Sequence, residues 1–65
     1  MSEHKCIGTV WRHKKTGKAY TIMGTCRLEA TNVPAFLYRS METGIVWARE
    51  MAEFLDGRFE KIDIR

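Results

Sequence analysis

Two cysteines, two histidines and a cluster of lysines are the side chains here with chemistry to offer. Nucleophilic catalysis needs a thiol or hydroxyl beside a base, with that base oriented by a third group. Cys6, Cys26, His4 and His13 supply the residue types. Their setting does not supply the arrangement. Cys26 alternates with apolar neighbours on the inward register of a strand, His4 lies close to the N-terminus, and no segment reads as a strained nucleophile turn. No catalytic residue is assigned, and the chain is read as a non-enzyme. The same side chains make a poor metal set, because structural zinc takes two closely spaced ligand pairs and only His4-x-Cys6 is such a pair. No metal and no cofactor is expected. Lys15-Thr16-Gly17-Lys18 has the residue types of a phosphate loop but lacks an upstream glycine and precedes a strand pattern, not a helix.

The stronger candidate is the stretch Trp11-Arg12-His13-Lys14-Lys15-Thr16-Gly17-Lys18-Ala19-Tyr20, a cationic turn between two aromatic residues. Lysine and arginine bring donors and charge to phosphate oxygens, and a planar ring offers a stacking face worth about 1–3 kcal/mol per base. Arg12, His13, Lys14, Lys15 and Lys18 are expected to share one face, with Arg27 joining them from the neighbouring strand. The competing reading is a solvated hairpin tip whose lysines guard a sheet edge. Trp11 and Tyr20 fall on the same strand face as Ile7 and Ile22 and are read mainly as anchors. A stacking ring then comes from Trp47, Tyr38 or a second subunit.

Trp47-Ala48-Arg49 is the other candidate. A guanidinium clamps a phosphate or carboxylate with two bonds, and an exposed tryptophan beside it would wall a small pocket. The favoured reading makes Trp47 the central core aromatic of a small barrel, with Arg49 paired to Glu50 or Glu53. Met41, Met51 and Phe36-Leu37-Tyr38 add a candidate apolar surface for a partner, and an exposed strand, such as the third, could pair with its copy across a twofold axis.

These candidates sit in a chain of 65 residues, short enough to be one domain over residues 1–65. A domain this small buries only about 60% of the surface its unfolded chain exposes, which makes a second subunit a natural source of further burial. No apolar run is long enough to span a bilayer and no secretory h-region is visible, so no membrane partner is expected and the setting reads as cytoplasmic, with the two cysteines as free thiols. The formal net charge of +3 is unevenly spread. Through Val33 there are six basic residues against two acidic, a net of +4; from Pro34 onward five stand against six, a net of −1. A cationic first half suggests an anionic partner, or attraction between two copies.

The elements that must position these residues follow from period and punctuation. Lys5 to His13 alternates with period two, as does Lys18 to Leu28, and Lys14-Lys15-Thr16-Gly17 turns between them. Gly24 inside the second strand marks a bulge or bend. Glu29 to Pro34 reads as a loop, Ala35 to Ser40 as a third strand, Met41 to Gly44 as a turn, and Ile45 to Arg49 as a fourth strand. From Glu50 the spacing of Met51, Phe54 and Leu55 is that of one helical face, for one or two turns ended by Asp56-Gly57. Arg58 to Ile64 reads as a fifth strand. The expected fold is mainly β: a small, strongly bent antiparallel sheet or SH3-like barrel of four to five strands with one short helical turn.

Taken in order, Trp11-Arg12-His13-x-Lys15-x-Gly17, Glu29-x-Thr31, Tyr38-Arg39 and Trp47-x-Arg49 with Phe54 seven positions on resemble a family of small bacterial and phage domains of unknown function. Members of that family look like Tyr-Arg-His-x-Lys-Gly early, Glu-Thr centrally and Trp-x-Arg-Pro-x-x-x-Phe late. The resemblance spans about residues 10 to 60. This chain departs from it with Glu50 in place of the proline and one extra residue between His13 and Gly17, so its first turn is expected to differ in shape. The resemblance implies a compact β-rich domain and no assigned reaction. Together these readings give a binding module for an anionic ligand, either a small nucleotide held at a subunit interface of a homo-oligomer or a nucleic acid. The rival is a phage-type inhibitor that docks on a host protein by its apolar edge, with charge steering the encounter.

Overall fold

The computed structural model describes residues 6–62 of the chain. Five strands and one helix follow in the order β1 (Val10–His13), β2 (Ala19–Arg27), β3 (Pro34–Ser40), β4 (Val46–Glu50), α1 (Met51–Phe54) and β5 (Phe59–Ile62). They form one antiparallel sheet in the order β4-β3-β2-β1-β5, with β4 and β5 as its open edges. The fold is therefore mainly β, as the alternation predicts, and the bent open sheet is the form adopted. No helix among the described residues is long and apolar enough to cross a membrane.

Local chemistry explains where the strand bounds differ from expectation. The first strand starts at Val10 because Gly8 takes φ 89° and both the N–H and the hydroxyl of Thr9 donate to the Cys6 carbonyl, closing a turn; Lys5 and Ile64, at the ends of the expected first and last strands, lie outside the described residues. The β1–β2 turn closes with Gly17 at φ 78°, its N–H on the His13 carbonyl at 2.7 Å, and the His13 N–H on the Lys18 carbonyl at 2.9 Å. Between β3 and β4 the Ser40 hydroxyl oxygen accepts from the N–H groups of Glu42 and Thr43, at 3.2 and 3.0 Å.

Gly24 does mark a bulge. The β2–β3 register runs Ile22↔Tyr38 and then Gly24↔Leu37, leaving Met23 unmatched. One extra residue reverses which side each later side chain takes. Cys26 thus pairs with Ala35, on the opposite side of the sheet from Phe36, which corrects its expected place on the inward face.

The sheet is coiled tightly on itself. Tyr38 on β3 and Phe59 on β5 are three strands apart, which in a flat sheet is about 14 Å at the usual spacing of roughly 4.8 Å. Their ring centroids are 5.7 Å apart. The concave face so formed holds the core of Ile22, Phe36, Tyr38, Phe54 and Phe59, flanked by Cys6, Trp11, Tyr20 and Met51. The helix serves to deliver Phe54, which stacks on Phe59 at 4.2 Å and meets Trp11 edge-on at 5.2 Å. It ends at Phe54, so Leu55, expected on the same buried face, is exposed. The third strand is internal, bonded to β2 and β4, and Phe36 and Tyr38 are buried; it cannot be the self-pairing surface.

Candidate functional site

Alternation sends Trp47 and Arg49 of β4 to the concave face, opposite Tyr38 and Phe36 in the register. It does the same for His13 of β1, opposite Phe59. Because the sheet is coiled, these residues from its two ends converge. His13, Thr16, Tyr20, Tyr38, Trp47, Arg49 and Phe59 line one cleft of about 250 Å³. Its floor is aromatic: Tyr20 meets Tyr38 at 5.3 Å and Phe59 at 5.9 Å, and His13 meets Phe59 at 4.9 Å, all edge-to-face.

Arg49 is held in place at the cleft wall. Its Nε–H donates to the Tyr38 hydroxyl at 3.2 Å, its guanidinium pairs with Glu53 at 3.8 Å, and its carbon Cζ lies 6.0 Å from the centre of the Phe59 ring. The Glu53 partner is one of the two expected. Trp47 is 50% exposed, which overturns its expected place in the core. The reason is its station on an edge strand: Phe54 and Phe59 fill the centre, and the indole is left as a wall.

A second groove, of about 430 Å³, adjoins the cleft and is lined by His13, Lys14, Lys15 and Arg58. The Lys14 N–H donates to the Arg58 carbonyl at 3.0 Å, tying the first turn to the segment before β5. Among the described residues Lys14 and Lys15 have no ion pair. Arg58 is less available, since it bonds both carboxylate oxygens of Asp56, at 3.1 and 2.9 Å. That side-chain bond holds the Asp56 carboxyl below its usual range and raises Arg58 further.

Not every expected cation reaches this site. Arg12 faces the convex side, opposite Ala19 and Glu60, and its guanidinium is bonded to the Glu60 carboxylate. Lys18 lies near Glu42, at 3.7 Å. Arg27 ends β2 at the far end of the sheet, about 26 Å along an extended strand from Ala19, and donates to the Asn32 carbonyl at 2.9 Å. It does not join the turn lysines, because antiparallel pairing sends the far end of a long strand away from the hairpin. Thr16, Tyr20, Phe59 and Arg58 are lining residues that the sequence did not single out for a site. Alternation alone marks Tyr20 as inward; the roles of Phe59 and Arg58 depend on the β1–β5 pairing, which no local pattern signals.

No three His, Cys, Asp or Glu side chains gather as a metal set among the described residues, and His4 lies outside them. Neither Cys6 nor Cys26 lines the cleft. The chain was compared with protein-family models, with curated proteins and with solved structures. It matches none of them. What the arrangement can do must therefore be read from its own geometry: a half-exposed indole and a fixed guanidinium suit a planar ring and an anion, and the adjoining lysines suit further negative charge.

Proposed function

We propose that this chain is a non-enzymatic binding module, working in the cytoplasm of a bacterium or a phage-infected cell, that takes an anionic ligand of nucleotide type. The observation that carries the reading is that His13 lines both the Trp47–Arg49 cleft and the Lys14–Lys15 groove. A ring stacked at Trp47 has its phosphates within one continuous path of cationic donors. The cleft is below the roughly 300–1,000 Å³ of drug-sized ligand sites, so a small nucleotide that places its base there and its phosphates in the groove fits better than a long polymer.

Titration calorimetry with nucleoside mono- and diphosphates tests this. Saturable binding is expected, abolished by Lys14→Glu with Lys15→Glu and weakened by Trp47→Ala. A single-stranded oligonucleotide bound more tightly than any nucleotide, with affinity falling steeply as salt rises, would instead make the chain a nucleic-acid binder. No binding of either kind would sink the reading.

One observation favours a second reading. Met41, Ile45, Val46 and Trp47 are exposed around the open edge of β4, an apolar stretch of the kind that docks on another protein. A protein inhibitor of this sort would retain a host protein on the immobilised domain and bind no nucleotide.

A further inference from the structure

Three polar side chains that line the cleft have an acceptor atom engaged inside the protein and a proton left over. The Lys15 N–H donates to Nδ1 of His13 at 3.2 Å, so the neutral ring carries its proton on Nε2 and offers a donor there. The Lys18 N–H donates to the Thr16 hydroxyl oxygen at 3.2 Å, and the Arg49 Nε–H donates to the Tyr38 hydroxyl oxygen at 3.2 Å. Among the described residues neither hydroxyl donates a bond of its own. Arg49 and Trp47 can only donate. No carboxylate or carboxamide side chain lines the cleft among the described residues, and the Glu53 carboxylate that pairs with Arg49 at 3.8 Å stays outside it. The cleft is thus rich in hydrogen-bond donors, and its side-chain acceptors are the remaining hydroxyl lone pairs of Thr16, Tyr20 and Tyr38.

We propose that the ring held at Trp47 is a 2,4-dioxopyrimidine, uracil or thymine, and that the cleft selects it over cytosine by its carbonyl edge. Uracil presents two carbonyl oxygens beside one N–H. Cytosine has an amino group in place of the carbonyl at C4, with two N–H bonds that both seek acceptors. The two bases offer nearly the same stacking face, so the indole of Trp47 cannot tell them apart. The edge can. A carbonyl set among donors gains bonds to them, whereas an amino group there meets other donor hydrogens and leaves both sides unpaired, which is the costlier outcome. A single six-membered ring also suits a cleft of about 250 Å³, with the phosphate passing His13 toward Lys14 and Lys15. The preference rests on the nucleotide reading of this cleft.

Titration calorimetry with uridine and cytidine monophosphates, which differ only along that edge, tests the preference. The uridine nucleotide is expected to bind about tenfold more tightly. Tyr38→Phe keeps the buried ring and removes one donor together with the oxygen that holds Arg49. It should weaken the uridine nucleotide and spare the cytidine one, bringing the ratio to about threefold or less. Circular dichroism checks its fold. Thr16→Val, on the exposed β1–β2 turn, removes a second donor and should shift the ratio in the same direction. Lys14→Ala, which acts on the phosphate, should weaken both nucleotides alike and leave the ratio unchanged. Equal affinities, or a tighter cytidine nucleotide, overturn the preference and leave the nucleotide reading standing. A ratio that survives both Tyr38→Phe and Thr16→Val also overturns it, because the discrimination then lies outside the cleft. If neither nucleotide binds, the reading and the preference fall together.

Discussion

The two edges of the sheet are built on opposite plans. At β5 the chain presents Arg58, Glu60 and Lys61, with Glu60 bonded to Arg12 across β1 and Arg58 to Asp56, while Phe59 is buried beneath. At β4 the run from Ile45 to Ala48 has no charge at all, and its large side chains are half in solvent. Both edges end the same sheet and both bound the same cleft, so the contrast is not one of position. An edge studded with paired charges resists a further strand, because pairing would strip water from ions that have already found partners. An apolar edge with free backbone groups loses little water and gains a ladder. The β5 edge is closed by its charge pairs, and the β4 edge is the one left apolar and open.

Changes at each edge should therefore behave differently, and the largest effect belongs to the buried side of β5. Phe59→Ala removes the ring that stacks on Phe54 and touches His13, Tyr20 and Tyr38. It should cost about 3–5 kcal/mol of stability by urea denaturation; a loss below about 1 kcal/mol would show that β5 is dispensable to the core. At β4 the corresponding truncation, Trp47→Ala, should be nearly silent for folding, within about 1 kcal/mol, yet weaken nucleotide binding by about 1–3 kcal/mol. Equal losses of stability at Phe59 and Trp47 would erase the distinction between the edges.

Smaller still is the guard pair on β5. Arg12→Ala should cost about 0.2–1 kcal/mol, the range for an exposed ion pair, and a double-mutant cycle with Glu60→Ala should recover a coupling of that size that shrinks in salt. The smallest effect is acid-dependent. Asp56 is held below its usual value of 3.8 by Arg58, so its contribution is fully present above that pH and is lost as pH falls through the lowered value. In Asp56→Asn, the part of the acid-unfolding curve below about pH 4 should flatten slightly relative to wild type.

Much of this fold is legible in the sequence, and the boundary of legibility has a physical cause. Strands and turns are local: period-two alternation gave β2, and β-prone runs between turn formers gave β3 and β4, each to within a residue or two, and Gly17 and Gly44 close the two hairpins where a positive φ is needed. The bulge at Gly24 was legible as an event but not as a count, so the side of the sheet taken by Cys26 was lost. The site was legible in its parts. His13, Tyr38, Trp47 and Arg49 do meet, as do His13, Lys14 and Lys15, but Arg12 and Arg27 do not join them. What decides membership is the tight coil of the sheet and the β1–β5 pairing. Both are set by contacts between residues far apart in the chain, which no window of local pattern contains. Trp47 is the sharpest case, since an aromatic residue in a strand is usually core and here the core was already filled.

The β1–β5 pairing joins Val10 to Ile62, at opposite ends of the described chain. Closing so long a loop has an entropic cost that contacts within the meander cannot offset, because Phe59 carries half of the central ring stack. A nascent chain that has emerged only as far as Gly57 holds four strands and a helix whose Phe54 meets Trp11, Phe36 and Tyr38 edge-on but lacks the Phe59 ring that stacks on it. Its folding should thus await the last strand and then proceed in one cooperative step, with the cleft, whose far wall is that same strand, coming into being only at that moment.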